Sequence, residues 1–428
     1  MKKILAFLGV GLLLFSNFAC APKKDAKTEL RFVFWGDLSE IQIFNNIVAE
    51  FERENPKIQV KLERAPSGAP YIEKLLTQFA GGMAPDIVFV EVNNFVNFSQ
   101  RNVLMDLSEF VFSDESFKME NIYPEVLSRF SMDNKLFVLP RDTAPICCVY
   151  YNKDLFDEAG LPYPKDDWQW PRDFLPIAQK LTKTDASGRV SRFGFVDDWS
   201  LWDAFVLSNG GNYVDDAKNP TRITLDSPEA LGGFKFRQDL IYKYKVMPTP
   251  SQMSSAGGVG SADLFMTGKA AMFLSGIWKT PYFRDIKNFD WDVAMFPKGP
   301  TGIRRFPTGG SGYAITKTCK HPREAWKLIK YLCGREGQVQ LAKTGLAQPA
   351  NMSIAKSEYF LDGQKPKNKG MLLDAVKYVS YSPYMDRWNE FLIAYLNPAL
   401  DKVWSGEKSP EEALKPVVTK ANKELFKK

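Results

Sequence analysis

Histidine is nearly missing from this chain, and that absence excludes more chemistry than any residue present suggests. Among 428 residues there is one, His321. A Ser-His-Asp triad would have to use it as its base. It directly precedes Pro322, a residue type favoured at the first position of a helix, and is expected on the surface beside that helix start. A zinc site with several histidines is impossible. Cysteine is scarce as well: besides Cys20 there are Cys147, Cys148, Cys319 and Cys333. Cys147 and Cys148 are adjacent in an apolar strand, so their side chains point to opposite faces. Cys319 and Cys333 flank a helix, which at about 1.5 Å per residue holds them far apart. All four read as small buried hydrophobes, not as a disulfide framework. No Gly-rich phosphate loop of the Walker or dinucleotide type is present. Gly257-Gly258-Val259-Gly260 follows no clear strand and reads as a loop. No cofactor, no metal and no catalytic residue is expected.

Long apolar runs are missing too. The longest, residues 4–15 (ILAFLGVGLLLF), falls short of the roughly 20 residues a membrane-spanning helix needs. It lies between a basic start, Lys2-Lys3, and a segment of small residues ending Ala19-Cys20-Ala21, the three parts of a secretory signal. Two cleavage readings stay open. Cys20 stands where a bacterial lipobox places its cysteine, although Asn17 replaces the usual Leu. Ala19-Cys20-Ala21 also fits the small-x-small pattern of ordinary cleavage. Residues 22–27 (PKKDAK) read as a tether. Acylation of Cys20 would hold the chain at a membrane surface without spanning it. In either case the chain is expected to be exported, to the periplasm or the extracytoplasmic face of the cell membrane. Loss of Lys2 and Lys3 takes the formal charge from +6 to +4, too weak to argue for nucleic acid.

What remains is about 400 residues, enough for two cores, since single cores stop growing near 250–300 residues. Aromatics are abundant, with 32 Phe and ten Trp. Strands alternate with helices. Residues 29–35 form a strand, and 40–55 an amphipathic helix with Ile43, Ile47, Val48 and Phe51 on one face. Residues 58–63 form a strand, 71–81 a helix, and 85–90 an apolar strand of the doubly covered parallel kind. This order makes an α/β sheet, in which ligands sit beyond the carboxyl ends of the strands. Those ends carry Trp35-Gly36-Asp37 and Glu91-Val92-Asn93-Asn94.

Four segments carry a resemblance. They are Ala84-Pro85-Asp86-Ile87; Leu139-Pro140 followed by Tyr150-Tyr151-Asn152-Lys153-Asp154-Leu155-Phe156; Phe265 with Gly268-Lys269-Ala270-Ala271-Met272 and Gly276-Ile277-Trp278; and Gly309-Gly310-Ser311-Gly312 with Pro322-Arg323-Glu324-Ala325-Trp326. In this order they resemble the extracellular solute-binding proteins of ABC importers, in the carbohydrate-binding, maltose-binding-protein-like branch, over residues 29–425. The resemblance implies a two-lobed α/β periplasmic-binding-protein fold of type II, with the ligand cleft between lobes joined by hinge crossovers. The first lobe is expected to hold 28–142 and 293–347, and the second 143–292 and 348–428. Hinges are expected near 140–145, 293–297 and 347–351. Lobes of this kind close on ligand by hinge motion.

A sugar presents apolar faces for aromatic rings and hydroxyls for carboxylates and amides. The best such cluster is Asp197-Asp198-Trp199-Ser200-Leu201-Trp202-Asp203, from which Trp199, Trp202 and Asp203 are ligand candidates; the alternative is that Trp199 and Trp202 share one core face of a helix. The resemblance implies that Trp278 stacks on a ring, and also Trp388, beside Arg387; Trp388 equally fits a core with Phe391 and Tyr395. Trp35, Asp37, Glu40, Glu91 and Asn93 lie at strand ends, where Glu40 equally suits a helix start. Val90 stands where the maltose-binding pattern has a Trp, so that stacking contact is absent. Asp142 lies at a hinge, and Gly310 and Ser311 offer close backbone approach and a hydroxyl. Trp168, Trp170, Trp291, Trp326 and Trp404 read as structural.

The implied function is the substrate-binding component of an ABC transporter. It captures a sugar or oligosaccharide and delivers it to the transmembrane subunits of a permease, as a monomer. The alternative is the same fold binding a glycerol-phosphodiester, a peptide or a polyamine, or serving as an adhesin or sensor. More remote is a glycoside hydrolase, which needs a carboxylate pair about 5–10 Å apart that nothing in the sequence singles out.

Overall fold

The computed structural model describes residues 27–36, 38–255 and 260–426. Cys20, the signal segment and Asp37 lie outside these residues, as does most of the Gly257–Gly260 loop. Among the described residues no helix is long and apolar enough to cross a membrane.

The first sheet is built from alternating elements: β1 (Thr28–Trp35), α1 (Leu38–Glu54), β2 (Ile58–Ala65), α2 (Ala69–Ala80) and β3 (Ile87–Glu91). β1 pairs in parallel with β2 along its whole length and with β3 at Phe32 and Val33. Strand Ser311–Ile315 then adds antiparallel to β3, and Leu139–Pro140 closes the sheet beside it. Phe32, Phe34, Phe44, Phe89 and Tyr313 pack as edge-on and tilted rings in its core. On α1 the buried stripe is Phe44, Ile47, Val48 and Phe51. Ile43, expected in that stripe, is half-buried at its edge: it packs against the first core and also, with Trp278, against Leu341, Leu346 and Ala347. β3 runs directly into a further helix, α3 (Val92–Gln100), where the sequence reading had only a strand end. Four of its residues (Val92, Phe95, Val96 and Phe98) are buried at helical spacing.

The second sheet has the order Val196–Asp197, Met272–Ser275, Cys148–Asn152, Trp291–Met295. Its first pair is parallel and the others antiparallel. Tyr150, Phe265, Phe273, Phe283 and Trp291 fill its core. The expected hinge at 293–297 is not there. Val293, Ala294, Met295, Phe296 and Phe306 all belong to the second core, because Trp291–Met295 completes the ladder of Cys148–Asn152. The chain crosses only after Pro307, next to the bridge between Pro145 and Thr308. A second crossing is fixed where Asp142–Thr143 pairs with Gln348–Pro349.

The stretch after residue 348 is not confined to the second lobe either. Ala350 and Ala355 lie in the first core, and Leu373, Val376, Tyr381 and Tyr384 pack against it. Met371, Leu372, Ala375 and Met385 face the second core. Alternate apolar residues of one segment thus serve two cores, a pattern that local periodicity cannot distinguish from a single amphipathic face. Cys147, Cys148 and Cys333 are buried free thiols, whereas Cys319 is half-buried. Trp168, Trp170, Trp291, Trp326 and Trp404 are buried.

Candidate functional site

The carboxyl ends of β1 and β3 meet the first crossing at one buried cation. The Arg141 guanidinium lies 2.7 Å from Glu40 at the start of α1 and also bonds Asp142. Burial disfavours its charge, but the carboxylates of Asp142 and Glu40 outweigh that and hold it above the usual arginine range. Asp142 in turn accepts from the Ser311 backbone N–H at 3.0 Å and its hydroxyl at 2.7 Å. The Arg141 carbonyl accepts from Gln338 Nε2 and the Ala350 N–H. Glu40, Asp142 and Ser311 therefore form a buried frame that joins the crossings. Gly310 leads into this frame at φ +107°, where a side chain would be strained, and its carbonyl accepts the N–H of Val92.

Glu91 stands beside that frame, whose cation is already bonded to two carboxylates. Burial, followed by the charges of Asp142 and Glu40, pushes the Glu91 carboxyl up to about 7 against the opposing pull of Arg141. Its carboxylate accepts from Asn94 Nδ2 at 3.4 Å. Trp35 is half-buried with its edge against Phe89, ring centroids 5.7 Å apart. Its indole N–H is buried without a hydrogen-bond partner. Asn93 is exposed on the first turn of α3 and accepts from the Ser382 hydroxyl. Asn389 reaches Asn94 at 3.2 Å. A narrow hollow of about 10 Å³ lies between these segments, lined by Asn93, Asn97, Ser382, Met385, Trp388 and others.

The second lobe supplies the aromatic surface. Strand Met272–Ser275 ends at Gly276, and the chain turns so that the Trp278 ring folds back over it. A Cβ on Gly276 would lie 2.0–2.4 Å from three ring atoms of Trp278. The turn is anchored by buried Tyr150, whose hydroxyl lies 3.1 and 3.2 Å from the Gly276 and Ile277 carbonyl oxygens. Trp199 stacks on Trp278 with planes 19° apart and centroids at 6.0 Å. Trp199 is 68% exposed. It does not share a helical face with Trp202: the helix begins at Trp202, and Trp199 and Ser200 both adopt left-handed backbone, φ +49° and +57°. Asp198 lies next to this stack, accepting from the Ser275 hydroxyl at 3.0 Å and from Lys279 at 3.2 Å. Asp197, by contrast, is committed to a buried two-point pair with Arg237.

Trp202, Asp203 and Trp388 make a separate group. Trp202 stacks on Phe234 at 5.0 Å, and Trp388, 4% exposed, packs on Tyr213 and Phe391. Burial pushes the Asp203 carboxyl up to about 6, opposed by a hydrogen bond from Tyr213. Arg387 is not with the other candidates. Its guanidinium bonds Glu390 and the carbonyl of Glu424, toward the last helix. Sequence reasoning passed over Arg141 as a frame residue, Asp198, Ser275, Gly276 and Lys279. The only signal for the last four was adjacency to Trp199 or Trp278. Among the described residues no group of three or more His, Cys, Asp or Glu side chains is placed to hold a metal ion.

The family model described as bacterial extracellular solute-binding protein matches residues 35–339. The galactooligosaccharide-binding protein of Bacillus subtilis is 24% identical, covering 96% of this chain and 95% of its own. The maltodextrin-binding protein of the same organism is 23% identical, covering 96% and 91%. An ABC substrate-binding protein of Listeria monocytogenes, solved in complex with cycloalternan, is 28% identical. It superposes with a TM-score of 0.83 over 94% of this chain and 100% of that one.

Proposed function

The chain belongs to the bacterial extracellular solute-binding proteins, and from that premise we propose that it is the sugar- or oligosaccharide-capturing component of an ABC importer. The observation that carries the proposal is the Trp199–Trp278 stack beside the hydrogen-bonded carboxylate of Asp198. Indole faces pack on the C–H faces of a pyranose, and a carboxylate held by its neighbours accepts hydroxyl protons without having to be ordered first. Relatives named for galactooligosaccharide and maltodextrin binding, and a structure containing cycloalternan, support the same ligand class.

In this reading Trp278, Trp199 and Asp198 of the second lobe face Trp35, Glu91 and Asn93 of the first. Trp202, Asp203 and Trp388 border the site, and Glu40, Asp142, Gly310 and Ser311 act through the Arg141 frame. Ligand that touches both lobes favours the shut arrangement, so closure is a population shift driven by differential contact. The shut form is the one delivered to the permease subunits, by a single copy of the chain. The family is one of binding proteins, and no catalytic step is assigned. A phosphodiester cargo would want free guanidinium groups. Arg141 and Arg387 are both engaged, by carboxylates in each case, which favours the neutral sugar.

Cys20 is the proposed lipid attachment point, holding the mature protein at the outer face of the cell membrane. A Cys20→Ser chain should leave the membrane fraction and appear as soluble exported protein; retention in the membrane would refute the anchor. The ligand class is tested by a thermal-shift screen of residues 28–428 against mono- and oligosaccharides, glycerol phosphates and polyamines. A ligand at 100 times its dissociation constant stabilises the fold by about 2.7 kcal/mol. A rise with sugars alone supports the proposal, and a rise with phosphates or polyamines alone overturns it.

A further inference from the structure

The second lobe carries a groove that the sugar-binding reading leaves unused. It measures about 800 Å³, within the range of small-molecule sites. Its floor is Ile241, Met247 and Leu264 of the second core, with half-buried Phe193 beside them. Arg189, Lys245 and Lys269, all exposed, stand around it. Among the described residues no Asp or Glu lines the groove. Arg189 reaches Asp185 at 3.5 Å, whereas no ion pair among the described residues engages Lys245 or Lys269.

The walls are fixed before any ligand arrives. One wall is the hairpin that pairs Lys183–Thr184 with Val190–Arg192. From its end the Phe193 N–H donates to the Lys269 carbonyl at 2.9 Å, the Ala271 N–H donates back to the Phe193 carbonyl at 2.9 Å, and the Phe195 N–H reaches the Val246 carbonyl at 3.1 Å. Lys245 is held in left-handed backbone, φ +54°, a conformation that L residues avoid and that clusters at ligand clamps. The groove is not part of the cleft. Lys269 precedes strand Met272–Ser275 and the Trp278 turn follows it, so at about 3.3 Å per residue the two lie roughly 20 Å apart. The chemistry differs as well: in place of stacked indoles beside a carboxylate, the groove sets cations over apolar side chains. Such a floor takes up hydrocarbon, and ammonium groups without a carboxylate partner favour an anion. We propose that this groove is a second binding site, separate from the cleft, for a small amphiphilic anion free in solution, with an apolar body and one acidic group. The inference does not rest on the sugar reading.

The test is calorimetric titration of residues 28–428 with three probes: decanoate, decyltrimethylammonium (the same apolar chain under opposite charge) and acetate (the anion without a body). The wild type should bind decanoate at least about tenfold more tightly than either of the others. The double variant Lys245→Ala, Lys269→Ala should weaken decanoate by about tenfold, each exposed charge pair carrying up to about fivefold. Added salt should weaken the wild type more than the double variant. Ser191→Trp, which sets a ring into the groove from its exposed wall, should weaken decanoate by about tenfold or more, and Trp278→Ala should leave it unchanged. Loss of decanoate in Trp278→Ala would put the anion in the cleft and overturn the second site. Equal affinity in the wild type and both groove variants, equal binding of the two charge types, or no decanoate binding up to about 10 mM would overturn it too. So would binding to phosphatidylglycerol vesicles without binding of free decanoate, which would make the groove a membrane contact. Lys245, Lys269 and Ser191 are exposed, so the fold should survive these substitutions, which a thermal melt of each variant checks.

Discussion

Gly276→Ala is the smallest change that should disable the site. The added methyl would lie 2.0, 2.3 and 2.4 Å from three ring atoms of Trp278, well inside van der Waals contact. The backbone has little room to yield, because the carbonyls of residues 276 and 277 are held by the hydroxyl of fully buried Tyr150. The ring must therefore leave its place over the turn, and the stack with Trp199 goes with it. Overpacking of this kind costs about 1–3 kcal/mol in stability, so the protein should still fold. Ligand affinity should fall as for loss of a central aromatic anchor, by about 2–4 kcal/mol, or roughly 30-fold to nearly 1,000-fold. Titration of the best sugar from the screen into wild type, Gly276→Ala, Trp278→Ala and the double variant measures it. If Gly276 acts only by placing Trp278, the double variant is no weaker than Trp278→Ala alone. Unchanged affinity in Gly276→Ala, or losses that simply add, would refute the reasoning.

Trp278→Ala by itself should weaken sugar binding by about 2–4 kcal/mol with the fold retained, checked by calorimetry and far-UV circular dichroism. Arg141→Ala leaves Glu40 and Asp142 buried without their cation and should cost about 3–5 kcal/mol of stability, read from urea unfolding; a loss below 1 kcal/mol, about the worth of an exposed pair, would show the frame to be dispensable. Glu91 should give a pH signature. Its folded pKa of about 7 lies above its ordinary 4.5, so the native state binds the extra proton and stability falls as pH rises between those values. Glu91→Gln should therefore raise the melting temperature at pH 8 and converge with wild type near pH 4. A variant equally or less stable at pH 8 would contradict the burial argument.

Much of this molecule was legible before folding. The apolar runs of β1 and β3 and the helix Pro322–Cys333 follow from burial pattern and from Pro and Gly at the ends. Trp278, placed just after a buried strand, was a stacking candidate through the family resemblance, and the structure sets its ring against Trp199. What escaped the sequence did so for identifiable reasons. Ile43 and Phe44 are adjacent and both apolar, so periodicity alone could not say that Phe44 is buried in the first core while Ile43 also reaches Leu346. Residues 293–297 read as a hinge because nothing local records that Cys148–Asn152 lacks a neighbour on that side. The segment 371–385 divides its apolar residues between two cores, and a one-dimensional pattern cannot assign faces to two partners.

The sequence by itself determined the class of protein. Its single histidine, its αβ alternation and its clustered Trp and Asp residues depend only on which residues follow one another. Tertiary structure decided which of those side chains are committed to internal partners and which stay open. Glu40 and Asp142 were read as ligand carboxylates, and they are bound to Arg141, a partnership of residues about a hundred positions apart for Glu40. Arg387 was read into the site and is turned away by Glu390 and the last helix. Trp199 became the outer ring of a stack because two left-handed residues aim it there. Long-range charge pairing and backbone handedness are energies of the assembled chain, and neither is written in the local order of residues.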